Sequence, residues 1–158
     1  MIVKHTFGPI YDDNSEILIL GSMPSQKSRE ASFYYAHPQN RFWPLIEKIY
    51  HVSLTDMAVK IRFLHNNHIA LWDTIESCDI IGSSDATIKN IKVNDIQNLI
   101  EKTKIKKIYC TGRTSFTIYN KYIYEKTLIK AIYLPSTSPC NAKLSLDELA
   151  EIYKIILQ

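Results

Sequence analysis

Glycine is scarce in this chain: Gly8, Gly21, Gly82 and Gly112 are all there is in 158 residues. Neither GxGxxG nor GxxxxGK[ST] occurs, which excludes the common glycine-rich nucleotide loops. Cysteine is scarce as well. Cys78, Cys110 and Cys140 lie far apart, form no CxxC pair, and cannot all pair within one chain because their number is odd. A structural zinc or iron–sulfur site wants four soft ligands, so free thiols in a reducing compartment are expected, with no metal and no cofactor. No apolar run approaches the roughly 18 residues of a membrane span, so no membrane partner is expected. The opening Met1-Ile2-Val3-Lys4-His5 lacks a signal-peptide core, which predicts a cytoplasmic protein. A strong excess of either charge is missing too. The formal net charge of +3 permits a nucleic-acid partner without diagnosing one. Linkers, repeats and low-complexity tracts are absent. The length suits one domain, residues 1–158, read here as a monomer.

What is present is a set of short, continuous apolar runs. Ile17-Leu18-Ile19-Leu20, Ile69-Ala70-Leu71-Trp72, Ile108-Tyr109-Cys110 and Leu128 to Leu134, the last interrupted once by Lys130, do not alternate with polar residues. They read as strands buried on both faces, as in a parallel sheet. Gly21 and Gly112 directly follow two of them, the mark of a strand running into a turn. Helical spacing separates the runs. Pro44 reads as the first residue of a helix bearing Leu45, Ile46 and Ile49. A second helix is predicted from Thr55 to about His65, and a third behind a capping box at Asn94-x-x-Gln97. Thr114 to Tyr122 reads as a fourth, and Ser145-x-x-Glu148 opens a terminal one. The fold class is therefore α/β: a three-layer α/β/α sandwich with a short, mostly parallel, four-stranded central sheet. Such sheets bind ligands beyond the carboxyl ends of their strands. The loops after Leu20, Trp72, Cys110 and Leu134 are the ones to inspect.

The first of these, Gly21-Ser22-Met23-Pro24-Ser25-Gln26-Lys27-Ser28-Arg29, is either an ordinary turn or a cradle of backbone N–H groups for a polar ligand edge. Close behind it, Phe33 to Trp43 holds five aromatics beside His37, Gln39, Asn40 and Arg41. Flat rings offer stacking faces to a nucleobase, and amides read its edge. An aromatic core accounts for Phe42 and Trp43 but less well for Tyr35, His37 and Asn40. His37 reads equally as a base or phosphate contact and as a structural histidine. The last loop, Leu134-Pro135-Ser136-Thr137-Ser138-Pro139-Cys140-Asn141-Ala142-Lys143, is a rigid turn or a set of hydroxyls for phosphate oxygens. Asp73 either lines the crevice or caps the next turn, and the cap is the preferred reading.

Taken in order, Leu18 to Ser25, Tyr34 to Trp43, Ile69 to Asp73 and Leu134 to Pro139 resemble the uracil-DNA glycosylase superfamily, closest to its hypoxanthine-DNA (deoxyinosine) glycosylase branch. The His-Pro-x-Asn-Arg-Phe-Trp string is specific, although the mismatch-directed branch shares it. The resemblance implies a four-stranded sheet between helices and a DNA partner carrying a deaminated base. It implies a base pocket lined by Gly21, Ser22, Met23, Pro24, Tyr35 and His37, with Tyr35 stacking on the flipped base. It implies a Ser136-Thr137-Ser138 loop that enters the minor groove. Ser25, Lys27, Arg29, Arg41 and Lys143 flank the two loops as further DNA contacts.

Two departures shape the expected chemistry. Other branches carry Asp, Asn or Glu two residues after the first-loop glycine, where this chain has Met23, which cannot activate water. Some begin the last loop with His, where this chain has Leu134. The catalytic polar group is therefore expected to be Asn40, with simple hydrolysis and no strand cleavage. Three rival readings stay open. One is a uracil or G/U(T) mismatch glycosylase on the same scaffold. Another is a non-catalytic nucleic-acid-binding module, which Met23 and Leu134 favour. The third is a small-molecule α/β enzyme.

Overall fold

A computed structural model describes residues 1–81 and 85–158; Gly82 lies outside the described residues. Seven strands run in chain order: β1 (Ile2–Lys4), β2 (Ile17–Gly21), β3 (Ile69–Asp73), β4 (Ile75–Asp79), β5 (Lys89–Val93), β6 (Lys107–Thr111) and β7 (Ala131–Leu134). The helices are α1 (Gln26–Ala31), α2 (Phe42–Tyr50), α3 (Met57–Asn66), α4 (Ile96–Glu101), α5 (Arg113–Ile118), α6 (Tyr124–Thr127) and α7 (Leu146–Tyr153).

The four apolar runs form one parallel sheet in the order β3-β2-β6-β7. Its two faces explain why the runs do not alternate. Ile19, Leu71 and Tyr109 face a core built with α2, α3 and α7, through Leu45, Ile46, Leu64, Leu149 and Tyr153. Leu18, Leu20, Ala70, Ile108 and Cys110 face a second core with Ile96, Leu99, Tyr119 and Ile123. Both faces are covered, so the strand interiors are apolar on successive residues, with polar groups such as Asp73 and Thr111 at the strand ends. The three-layer sandwich is as expected.

A second, smaller sheet was not foreseen. β1, β4 and β5 pair antiparallel in the order β1-β4-β5 and pack on Ile118 through Val3, Ile75, Cys78 and Ile80. Its strands are short and one-sided, with burial patterns of mixed exposed and buried residues. That is a weak signal beside the continuous runs. A single residue, Thr74, separates β3 from β4, where the chain crosses from one sheet to the other.

Asn94 holds that crossing, and this corrects the capping box expected at Asn94-x-x-Gln97. Asp95 caps α4, accepting from the backbone of Asn98. The Asn94 amide is buried and donates to the carbonyls of Asp73 (2.9 Å) and Ile75 (3.1 Å). Other boundaries shift for local reasons. Pro44 is the third residue of α2, still inside the first turn where a missing N–H costs nothing. The helix expected from Thr55 starts at Met57 instead, capped by Asp56. The predicted Thr114–Tyr122 helix starts at Arg113, widens into a π-helical turn over Tyr119–Ile123 and closes with α6. The Ser145 capping box forms as expected, with both of its hydrogen bonds in place. Among the described residues no helix is long and apolar enough to cross a membrane.

Asn94→Ala should lower stability by about 1–3 kcal/mol, because two buried carbonyls lose their donor. Urea unfolding checks this, and an unchanged midpoint would show that the crossing holds without the amide.

Candidate functional site

All four parallel strands end at one cleft of about 730 Å³. That falls within the range of roughly 300–1,000 Å³ usual for small-molecule pockets. Gly21, Asp73, Thr111 and Ser136 represent the four strand ends around it, and Tyr35, His37 and Asn40 line it from the aromatic segment.

The floor is set by strand register. Gly21 pairs with Asp73 across β2 and β3. A Cβ at position 21 would sit 2.5 Å from Asp73 Oδ1, so only glycine lets the carboxylate lie across this strand end. Asp73 caps nothing. β4 rather than a helix follows it, and this corrects the cap reading. Its side chain is 5% exposed, and Oδ2 is 2.7 Å from His5 Nε2. Among the described residues lining the cleft, Asp73 is the one carboxylate. Burial, and then its charge, push the Tyr34 and Tyr35 hydroxyls far above the ordinary phenol range, so both stay neutral.

Tyr35 stands on the cleft wall. Phe42 stacks behind it, with centroids 4.0 Å apart and planes 2° from parallel. The backbone of Tyr35 has φ +55°, a left-handed conformation that a bulky residue rarely adopts. The aromatic segment is pinned on both sides of it. The Tyr34 hydroxyl donates to Gly8 O and the Trp43 indole to Tyr34 O, while the Ser28 hydroxyl accepts from the Ala36 backbone.

Asn40 is oriented by what its oxygen accepts. Oδ1 takes hydrogen bonds from the Phe42 backbone (2.8 Å) and the Thr137 hydroxyl (2.9 Å), which use both lone pairs. The side chain therefore presents donors to the cleft and cannot serve as a base. His37 is oriented similarly. Its Nδ1 accepts from the Gln39 backbone at 3.1 Å, so the ring hydrogen sits on Nε2.

The expected DNA contacts divide. Ser136 and Ser138 line the cleft, although each hydroxyl also accepts a backbone N–H within its own loop. Thr137 is buried and its hydroxyl donates to Asn40, which orients that amide. Arg41 is engaged within the protein as well. Its guanidinium donates to Leu144 O and Asn141 O, clamping the last loop to the start of α2. Ser25 lines the cleft while capping α1, and Arg29 donates to Pro24 O. Lys27 and Lys143 are exposed and do not line the cleft. Ser22 and Pro24 line it, as does Met23, which also packs on the small-sheet core. Arg113, which the sequence reading passed over, lies at the cleft with its guanidinium carbon 4.7 Å from the Tyr133 ring centre. His5 was passed over too. Asp73 was marked by its place at a parallel strand's end, but nothing local in the sequence marks His5.

Residues 9–156 match the family model of the uracil DNA glycosylase superfamily. The chain is 33% identical over 156 residues to the hypoxanthine DNA glycosylase of Methanosarcina acetivorans, covering 95% of this chain and 96% of that protein. It is 35% identical over 115 residues to the hypoxanthine DNA glycosylase of Methanosarcina barkeri, covering 71% of this chain and 73% of that protein. A solution NMR structure of a candidate uracil DNA glycosylase from Methanosarcina acetivorans superposes with a TM-score of 0.80 at 32% identity, covering all of both chains.

Two expectations test this geometry. Gly21→Ala should destabilise the fold by about 1–3 kcal/mol through overpacking, whereas Gly8→Ala, with nothing within 4 Å of a new Cβ, should be near neutral. Equal unfolding midpoints for the two would contradict the Gly21–Asp73 contact. For the thiols, burial pushes Cys110 up to about 12, so it stays protonated and unreactive at pH 8. Cys78 is also buried and Cys140 exposed. Iodoacetamide at pH 8 should add once to the folded chain, at Cys140, and three times after denaturation, as mass spectrometry would read.

Proposed function

The chain belongs to the uracil DNA glycosylase superfamily, and on that premise we propose that it excises hypoxanthine from DNA. The observation that carries the reading is the meeting of a backed aromatic face, a donor amide and one carboxylate in a single cleft: Tyr35, Asn40 and Asp73. A base inside a duplex cannot reach such a cleft, so the nucleotide must be extruded into it. The Tyr35 ring then takes the flat face of the base. The Asp73 carboxylate accepts the N1–H of a 6-oxopurine. Adenine offers a lone pair at that atom and is repelled, which separates the deaminated base from its parent.

Hydrolysis breaks the bond between C1′ of the sugar and the base nitrogen, and the electron pair leaves with the base. Water oxygen bonds to C1′, and a proton from that water ends on the base. Positive charge grows on the sugar and negative charge on the base, so pre-placed donors on the base side lower the barrier. Asn40 Nδ2 and His37 Nε2–H are such donors. No lysine lines the cleft among the described residues, which supports hydrolysis without a Schiff base and without strand cleavage. The reading includes a single domain over residues 1–158, acting as a monomer in the cytoplasm.

Uracil is the second substrate to test, because its N3–H presents the same donor to Asp73. Oligonucleotides with inosine, uracil, xanthine or mismatched thymine, read after alkaline cleavage of abasic sites, should rank inosine first. Binding of damaged duplex with no abasic product would make the protein a binding module instead. Asn40→Ala should slow single-turnover excision by at least roughly tenfold with the fold intact, the usual scale for one positioned polar group. Tyr35→Ala should weaken substrate binding by about 1–3 kcal/mol, the scale of one stacked base. Wild-type behaviour in either variant removes that residue from the proposed site.

A further inference from the structure

His5 follows β1 and precedes residues 9–156, which match the family model. It nonetheless reaches Asp73, which lines the cleft. Its backbone N–H donates to Glu76 O at 2.7 Å, which ties it to β4. Its ring is boxed by Phe7, at 4.7 Å between centroids, and Tyr34, at 5.9 Å. The side chain is 3% exposed, and among the described residues the one hydrogen bond its ring makes runs from Nε2 to Asp73 Oδ2. Nδ1 is buried with no partner among the described residues. A buried imidazole with an unsatisfied nitrogen costs stability, so the contact to Asp73 is what this placement achieves.

We infer that His5 is a positioning residue for Asp73: by holding Oδ2 it turns Oδ1 over Gly21 and presents that oxygen to the base. The inference rests on the glycosylase reading and adds the N-terminal segment to the site. A carboxylate on a short side chain can rotate about its last bond. With Oδ2 held by a donor shut away from water, one orientation is kept before the base arrives, so none of the binding energy goes into ordering it. Removing the donor leaves a buried anionic oxygen without a partner. The carboxylate then turns toward whatever donor or water it can find, and the acceptor facing the cleft is lost.

The test is a double-variant cycle in single-turnover excision from an inosine oligonucleotide. His5→Phe keeps a ring without a donor, and His5→Gln keeps a donor. Asp73→Asn removes the charge, and the fourth protein combines His5→Phe with Asp73→Asn. His5→Phe should lower the rate by at least roughly tenfold, the scale of a lost positioned group, and His5→Gln should recover most of it. In the Asp73→Asn background, His5→Phe should add little, because residues acting through one contact are not additive. Circular dichroism and thermal unfolding establish that each variant is folded. If His5→Phe does not fold, His5→Asn takes its place against His5→Gln, since its amide is too short to span to Asp73.

A His5→Phe rate equal to wild type overturns the inference. So do effects that multiply in the double variant, since they describe a residue acting by another route. These outcomes stand apart from failure of the glycosylase reading, in which the wild-type protein itself frees no base from inosine or uracil strands.

Discussion

A side chain at position 21 would drive its first carbon to within 2.5 Å of the Asp73 carboxylate, and this steric condition organises the cleft. It follows from parallel pairing, which sets Gly21 beside Asp73 at the ends of β2 and β3. With no Cβ in the way, a carboxylate can fold over a strand end and stay nearly shut off from solvent. The charge then needs a donor, which His5 supplies. Burial, and after it this charge, raise the neighbouring tyrosine hydroxyls far above the ordinary phenol range. The chemical character of the floor, one carboxylate beside neutral aromatic groups among the described residues, descends from a glycine in register.

The walls follow a different rule, in which polar side chains that look functional in the sequence orient one another. Thr137 donates to Asn40, Arg41 reaches two carbonyls of the last loop, and the Arg41 backbone donates to Thr137 O at 3.1 Å. These contacts join segments about a hundred residues apart and fix the spacing between the aromatic segment and the Pro-Ser loop. Saturating the Asn40 oxygen turns an ambiguous amide into a pure donor. That asymmetry suits a leaving group that gains negative charge, and it needs no movement when the charge appears.

Tyr35 carries strain of the kind that accumulates where a ligand is handled. Its positive φ is held by the Phe42 stack and by backbone hydrogen bonds on either side. A ring held rigidly on one face is already ordered, which is what the proposed stacking of a base on its other face requires.

Much of this was legible in the sequence. Continuous apolar runs ending in glycine announce a parallel sheet and locate its ligand-binding end, because burial on both faces forbids alternation. The Ser145 capping box and the Phe33–Trp43 cluster are likewise local patterns that survive folding unchanged. The small antiparallel sheet was not legible, since one-sided edge strands carry few apolar residues. Nor was the division of labour among polar groups. That the Thr137 hydroxyl holds Asn40 and the Arg41 guanidinium holds the last loop showed only in the fold, Asp73 read as a cap, and His5 carried no mark at all. Residue type and spacing determined which chemistry this chain could perform and where in the fold it would gather. Which atoms are left over to perform it was decided by hydrogen bonds between segments distant in sequence, because a donor or acceptor is available to a substrate only after the folded protein has used the others.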